Sequence, residues 1–101
     1  MIDGLVSGRL HGHASERSGQ GGSLFVTARL KATAGDGDTV IVNVIAFADK
    51  VRAALLALED GESVALSGSL TPKVWTDKNG DTRPALDMVA HGLLSARDAQ
   101  P

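Results

Sequence analysis

Apolar and polar residues alternate along most of this sequence, which is the period of a β-strand with one buried face. The pattern predicts five strands, at about residues 2–12, 23–33, 39–47, 64–76 and 82–93. In the second of these stretches, Leu24, Val26, Ala28, Leu30 and Ala32 share one face, and the other face carries Phe25, Thr27, Arg29, Lys31 and Thr33. We therefore expect this strand to have a buried apolar face and an exposed face that is basic and aromatic.

The third stretch, residues 39–47, is rich in β-branched side chains and apolar on both faces, so it is expected to be the most central strand. A helix is predicted after it, from Asp49 as a candidate cap to about Glu59, because its apolar residues Val51, Leu55 and Leu58 fall on one stripe. Gly61 stands where a left-handed helix stop is expected.

Turn-forming residues separate these elements. Residues 13–22 predict a loop, residues 35–38 a short turn, and Asp-Lys-Asn-Gly at 77–80 a tight hairpin, since Asn-Gly readily adopts positive φ angles. Pro72 predicts a break or a sheet edge within the fourth strand, because proline has no N–H to donate. The two glycines at positions 4 and 8 of the first strand predict bending or close approach of another backbone.

The element order is three strands, one helix and two strands, without internal repeats. This order predicts an all-β, five-stranded Greek-key barrel of the OB-fold type, with the helix between strands 3 and 4 plugging one end. A length of 101 residues suits one domain. We expect the domain to span residues 1–95, and residues 96–101 to form a short flexible tail.

The composition excludes several classes of site. There is no cysteine, which rules out disulfides, thiolate metal sites and cysteine nucleophiles and suits a cytoplasmic protein. The net charge of −2 hides an uneven distribution: residues 1–33 carry four basic and two acidic side chains, and residues 34–62 carry two basic and six acidic ones. A near-neutral total is therefore compatible with separate basic and acidic faces.

Neither an enzyme nor a metal site is indicated. His11-Gly12-His13 offers two histidines without further ligands, which is too little for a metal centre. The glycine-rich segment at 19–23 lacks the lysine and the helix of a phosphate loop. No nucleophile with an activating base stands out, so we expect no catalysis and no cofactor.

Several short motifs, in matching order, carry a resemblance to a known family. They span about residues 2–94 and comprise Gly8-Arg9-Leu10, Val44-Ile45-Ala46-Phe47-Ala48-Asp49-Lys50, Leu58-Glu59-Asp60-Gly61-Glu62-Ser63-Val64, Gly68-Ser69-Leu70, and Trp75-Thr76-Asp77-Lys78-Asn79-Gly80 followed by Arg83. Together they resemble the bacterial and phage single-stranded DNA-binding protein family, in a short variant without that family's long acidic-tipped tail.

The resemblance implies an OB-fold that assembles as a homotetramer, with a homodimer as the second choice. It also implies sequence-independent binding of single-stranded DNA in replication, recombination or repair. Such binding uses aromatic side chains that stack on bases and cations that contact phosphates. The residues expected to do this are Trp75, Phe47, Phe25, Arg9, Arg29, Lys31, Lys73, Lys78 and Arg83.

Each of these residues could instead have a purely structural role. Trp75 could be a partly buried core residue, and the periodicity around Phe47 allows core packing and stacking equally. Phe25 shares its face with Arg29 and Lys31, which favours exposure. The cations could simply be solvated surface charges.

Two departures from the family pattern predict weaker binding or a smaller footprint. The second and third strands are joined by a short Gly/Asp turn, and Ile41 stands where the family usually has an aromatic residue. Apolar side chains on outer faces, at Leu5, Ile41 and Ile45, predict a surface that further copies of the chain cover. Two other functions stay open: a primosome-type OB accessory protein that acts mainly through protein partners, and an oligomeric scaffold without a nucleic-acid role.

Overall fold

The computed structural model describes residues 2–95 and contains six strands and one α-helix. In chain order the elements are β1 (Ile2–Leu10), β2 (Ser15–Ser18), β3 (Leu24–Thr33), β4 (Thr39–Ala46), α1 (Asp49–Leu56), β5 (Ser63–Thr76) and β6 (Thr82–Ser95). The tail predicted at residues 96–101 lies outside the described residues.

Five of the strands close into a ring. Their order is β1-β5-β6-β4-β3, and β3 pairs again with β1 through Arg9 with Lys31 and Leu10 with Leu30. The β4–β6 pair is parallel and the other pairs are antiparallel. With α1 between β4 and β5, this is the predicted OB-fold barrel.

The core lies inside the ring, where alternate side chains of each strand meet those of α1. Its largest fully buried members include Leu30, Leu55, Leu66 and Met88. Val51, Leu55 and Leu58 are all buried, so the predicted stripe is the face that closes one end of the barrel. Of the face predicted to be buried on β3, Val26, Ala28 and Leu30 are buried, Ala32 is half-buried, and Leu24 is exposed at the strand end.

The segment predicted as a loop at residues 13–22 contains β2 and a short 3-10 turn at Gln20–Gly22. β2 pairs with the part of β3 from Leu24 to Thr27, which β1 does not reach. Its sequence Ser-Glu-Arg-Ser has no apolar face to signal a strand, because an exposed edge strand only needs to satisfy backbone hydrogen bonds.

The helix is shorter than predicted and begins differently. Ala48 occupies the N-cap position, and Asp49 is the first helical residue, where it pairs with Arg52. The helix ends at Leu56. Beyond it, the amide of Leu58 donates to the carbonyl of Leu55, three residues earlier, and the side chain of Leu58 is buried in the core. Gly61 has a positive φ of 82°, as expected, but in a later turn whose amide donates to the carbonyl of Leu10.

Pro72 does not interrupt β5. The strand runs through it to Thr76, and from Thr71 onward it pairs with β6 on one side. The missing N–H therefore faces a sheet edge, which is the second of the two predicted outcomes. The close approach predicted at Gly8 is confirmed, because a Cβ there would collide with the carbonyl oxygen of Lys31.

Candidate nucleic-acid interface

The outward side chains of β3, β4, β6 and β5, with those of β1 and β2 that lie opposite β3, form one continuous surface, which we call the outer face. The strand register aligns them in rows that cross the sheet. One row is Thr71, Asp87, Asn43 and Arg29; the next is Lys73, Ala85, Ile41, Lys31 and Arg9. Another is Ser69, Val89, Ile45, Thr27 and Ser15.

A groove of about 820 Å³ runs over the middle of the outer face. Its floor includes Thr27, Asn43 and Ile45 of the central strands, and its rim includes His11, His13 and Arg17 from the segment after β1. Arg17 Nε lies 3.4 Å from Thr27 Oγ1 and donates to it, which ties the rim to the floor. The barrel thus presents an open channel lined by both polar and apolar groups.

Phe25 and Phe47 meet at one end of the outer face. Their ring centroids are 6.3 Å apart with the planes tilted by 48°, a favourable aromatic geometry. Phe47 is 56% exposed, whereas Phe25 is half-buried. Arg52 Nε donates to the carbonyl of Phe47 at 3.1 Å and thereby holds the chain where β4 ends. Phe47 is therefore a surface side chain supported from below, not a core residue.

Trp75 lies towards the other end, on the β5–β6 hairpin opposite Arg83. It is 45% exposed, and Lys73, two residues earlier, points from the same face of the strand. The register places Trp75 eight positions from Phe47, which is about 26 Å along the strand direction. The two exposed aromatic residues therefore bracket the outer face.

The tip of this hairpin is fixed by one carboxylate. Arg83 Nε donates to Asp77 Oδ2 at 3.0 Å, and the backbone amides of Asp81 and Asn79 donate to Asp77 Oδ1. The Arg83 hydrogen bond is the largest cause that lowers the pKa of Asp77 from its ordinary 3.8, followed by the Asp81 amide. Arg83, expected to contact phosphate, is thus also bound to Asp77, while Lys78 is exposed in the turn.

The remaining predicted cations share the outer face. Arg9 and Lys31 are directly opposite each other, Lys73 lies in the same row, and Arg29 lies in the adjacent row; all are exposed. Arg9 Nη1 also donates to the carbonyl oxygen of Gly61 at 3.4 Å. Ile41 is half-buried between Lys31 and Ala85, where it forms an apolar part of the floor.

Several groove residues were missed by the sequence reasoning. Arg17 belongs to β2, which has no strand pattern, and Asn43 and Asp87 are polar residues within otherwise apolar strands. Only the interruption of those apolar runs could have signalled that Asn43 and Asp87 face outward together. The sequence suggests His11 and His13 only as candidate metal ligands, whereas the structure places them on the groove rim.

Neither a metal centre nor a membrane span emerges from residues 2–95. Within this range, no three side chains of the metal-binding types lie close enough to hold an ion. Likewise, no helix in the described part of the chain has the length and apolar character to cross a bilayer.

Known structures share this architecture. No protein-family model matches the sequence, and no curated protein sequence matches it. Among solved structures, the chain is similar to the small single-stranded DNA-binding protein from Streptomyces coelicolor, at 21% identity and a TM-score of 0.75 over 98% of this chain and 97% of that one. It is also similar to two structures of Rim1, the mitochondrial single-stranded DNA-binding protein of S. cerevisiae. Those matches have 14% and 16% identity and TM-scores of 0.69 and 0.70, and they cover 94% of each chain. The predicted resemblance is confirmed at the level of the fold: the chain has the OB-fold of single-stranded DNA-binding proteins.

Proposed function

We propose that this protein binds single-stranded DNA along the outer face, with little dependence on sequence. Bases stack on Phe47, which Phe25 supports, and on Trp75. Phosphates are contacted by Arg9, Arg29, Lys31, Lys73 and Lys78, with Arg83 contributing from the hairpin. The fold of the structural neighbours, which are single-stranded DNA-binding proteins, supports this assignment.

The observation that carries the proposal is the direct opposition of Arg9 and Lys31 across β1 and β3. Like charges opposite each other destabilise a sheet. The pair lies in one row with Lys73, between the two exposed aromatic ends of the outer face. A ligand with regularly spaced negative charges relieves the repulsion between the two cations. Binding is favoured further because each neutralised phosphate releases counterions.

The exposed aromatic side chains explain why the ligand is single-stranded. An unpaired strand exposes the flat faces of its bases, and stacking a base on an aromatic side chain is worth about 1–3 kcal/mol. Phe47 and Trp75 are each about half exposed, so a base can reach them. In a duplex the base faces are already stacked on one another, so only the phosphate contacts remain.

We also propose that the protein works as a homo-oligomer. Of the two candidate states, we favour a tetramer over a dimer. Leu5 is 71% and Leu94 56% exposed, and the outward row through Ser7, Ala65 and Leu94 lies beside Leu5 on the β1 side of the barrel. Within residues 2–95, β1 from Ile2 to Gly8 pairs only with β5, so its other edge is open for strand pairing. Light scattering of the wild-type protein should show more than one copy per particle; a monomer at tens of micromolar would contradict this proposal.

Replication, recombination and repair are the processes that expose single strands, and we propose that the protein serves them. The test is a titration of the wild-type protein with oligo(dT), followed by the fluorescence of Trp75, the sole tryptophan. Stacking should quench the emission. Phe47→Ala should weaken binding about 5- to 150-fold for the loss of one stacked base. Leu56→Ala is the matched control, because Leu56 is 42% exposed on α1, away from the outer face.

An absence of binding in this titration would refute the proposal. Capture of a replication helicase by the same non-binding protein would then favour the accessory function that acts through protein partners. An equal loss with Phe47→Ala and Leu56→Ala would show that truncation of any exposed apolar residue weakens binding, and it would remove Phe47 from the site.

A further inference from the structure

The floor of the groove contains a carboxylate, which is an unexpected group in a site for a polyanion. Asp87 lies in the row Thr71, Asp87, Asn43 and Arg29, and it is half-buried. Asn43 Nδ2 donates to Asp87 Oδ1 at 3.3 Å. Among residues 2–95, no arginine or lysine forms an ion pair with Asp87. The negative charge is therefore held in the groove by an amide and is not neutralised by a cation.

A phosphate cannot lie over this position without repulsion, so a strand in the groove must present a base to it. An ionised carboxylate only accepts hydrogen bonds, and its two oxygens offer about four acceptor positions, of which Asn43 uses one. The complementary base edge is one with two adjacent donors, which a carboxylate can take in bidentate fashion. Bases of a single strand can be read on their Watson–Crick and Hoogsteen edges, and two adjacent donors are found only on a Watson–Crick edge.

Guanine is the base that meets this requirement, since its N1–H and N2–H₂ groups are neighbours on that edge. Adenine and cytosine each place a single amino group beside an acceptor nitrogen, and thymine places its N3–H between two carbonyl oxygens. Those acceptors face the carboxylate and are repelled by it. The carboxylate of Asp87 should therefore bind guanine most tightly and thymine least tightly of the four bases.

Resting on the proposed single-strand binding, we infer that Asp87, oriented by Asn43, is a specificity-determining residue that selects guanine within an otherwise sequence-tolerant groove. Arg29, beyond Asn43 in the same row, supplies the positive charge that lets the backbone pass close to this carboxylate. The protein therefore favours strands in which guanine recurs, although it holds the rest of the strand through stacking and phosphate contacts.

The test compares strands of equal length made of repeated dT-dG, repeated dT-dA, and dT alone. Binding is followed by the anisotropy of a labelled strand, in lithium buffer to prevent guanine quadruplexes. The wild-type protein should bind the dT-dG strand about 5- to 150-fold more tightly than dT, the range for one bidentate base contact. The dT-dA strand should resemble dT, which controls for the larger stacking surface of a purine.

Asp87→Asn keeps the size of the side chain and removes the second acceptor oxygen, so the dT-dG preference should fall to nearly none. Asp36→Asn, in the exposed turn between β3 and β4, removes the same charge outside the groove and should preserve the preference. Equal wild-type affinity for the three strands, or a preference that survives Asp87→Asn, would overturn the inference while leaving the proposed function intact. Failure of the wild-type protein to bind any strand would overturn both.

Discussion

Replacing Lys31 by glutamine should reduce the salt dependence of DNA binding by a calculable amount. Six exposed cations are assigned to phosphates: Arg9, Arg29, Lys31 and Lys73 in two adjacent rows of the outer face, and Lys78 and Arg83 in the hairpin. For single strands, log affinity falls with log salt by about 0.7 per neutralised phosphate, so six contacts give a slope of about −4.2. The wild-type protein should then lose about 340-fold in affinity between 50 and 200 mM salt.

Without Lys31 the slope should be about −3.5, and the loss over the same range should be about 130-fold. The stability should not fall, because the substitution removes a like charge opposite Arg9; the Tm should stay the same or rise slightly. The assay is an anisotropy titration at several salt concentrations, paired with thermal melting of each variant.

Lys50→Gln is the control, since Lys50 is exposed on α1 and not on the outer face. Its slope should equal that of the wild-type protein. A Lys31→Gln slope that also equals the wild-type slope, or an equal change with Lys50→Gln, would refute the assignment of this row to phosphate binding.

Three further predictions address other parts of the molecule. Trp75→Ala should weaken single-strand binding about 5- to 150-fold, measured by anisotropy of labelled DNA, with the protein still folded at the assay temperature; unchanged affinity would exclude stacking there. Gly68→Ala should lower stability by about 1–3 kcal/mol in urea unfolding, because its Cβ would collide with the β6 backbone, whereas Gly35→Ala, with open space around it, should not. The Asp77–Arg83 contact stabilises the hairpin above the ordinary carboxyl pKa of 3.8. The protection of the tip amides, measured as exchange relative to each amide's intrinsic rate at the same pH, should therefore fall only as the pH drops through the lowered pKa, below 3.8; loss of protection already at pH 5 would contradict this.

The barrel itself was predictable because its strands alternate clearly. Val26, Ala28 and Leu30 point inward from β3 as their spacing requires, and the stripe of α1 is buried. β2 was not predictable, since an exposed edge strand gains its stability from backbone pairing with β3, and its four side chains need no pattern. The early end of α1 depends on the tertiary burial of Leu58, which local propensity does not encode.

The candidate site was predictable only where its residues belong to a single strand, so that their alternation shows which face they share. Phe25, Arg29 and Lys31 alternate on a single strand, so their common exposed face follows from the period of two. The cross-strand rows could not be predicted, because the opposition of Arg9 to Lys31 depends on register between strands far apart in the sequence. The contact of Asn43 with Asp87 depends in the same way on the parallel β4–β6 register.

The exposure of Trp75 also depends on the tertiary structure. Its sequence context suggests an exposed hairpin position but leaves core packing open, and the structure shows it 45% exposed on the outer face. Exposure makes stacking possible, and Lys73 on the same face supplies a neighbouring cation.

The most direct measurement compares the affinity of the wild-type protein for one mixed-sequence strand with its affinity for the duplex of that strand. We expect the single strand to quench Trp75 fluorescence and to bind roughly tenfold or more tightly than the duplex, because stacking on the exposed aromatic residues is available only to unpaired bases. Equal affinity for the two forms, or no quenching by the single strand, would contradict the claim that the outer face is a single-strand binding surface.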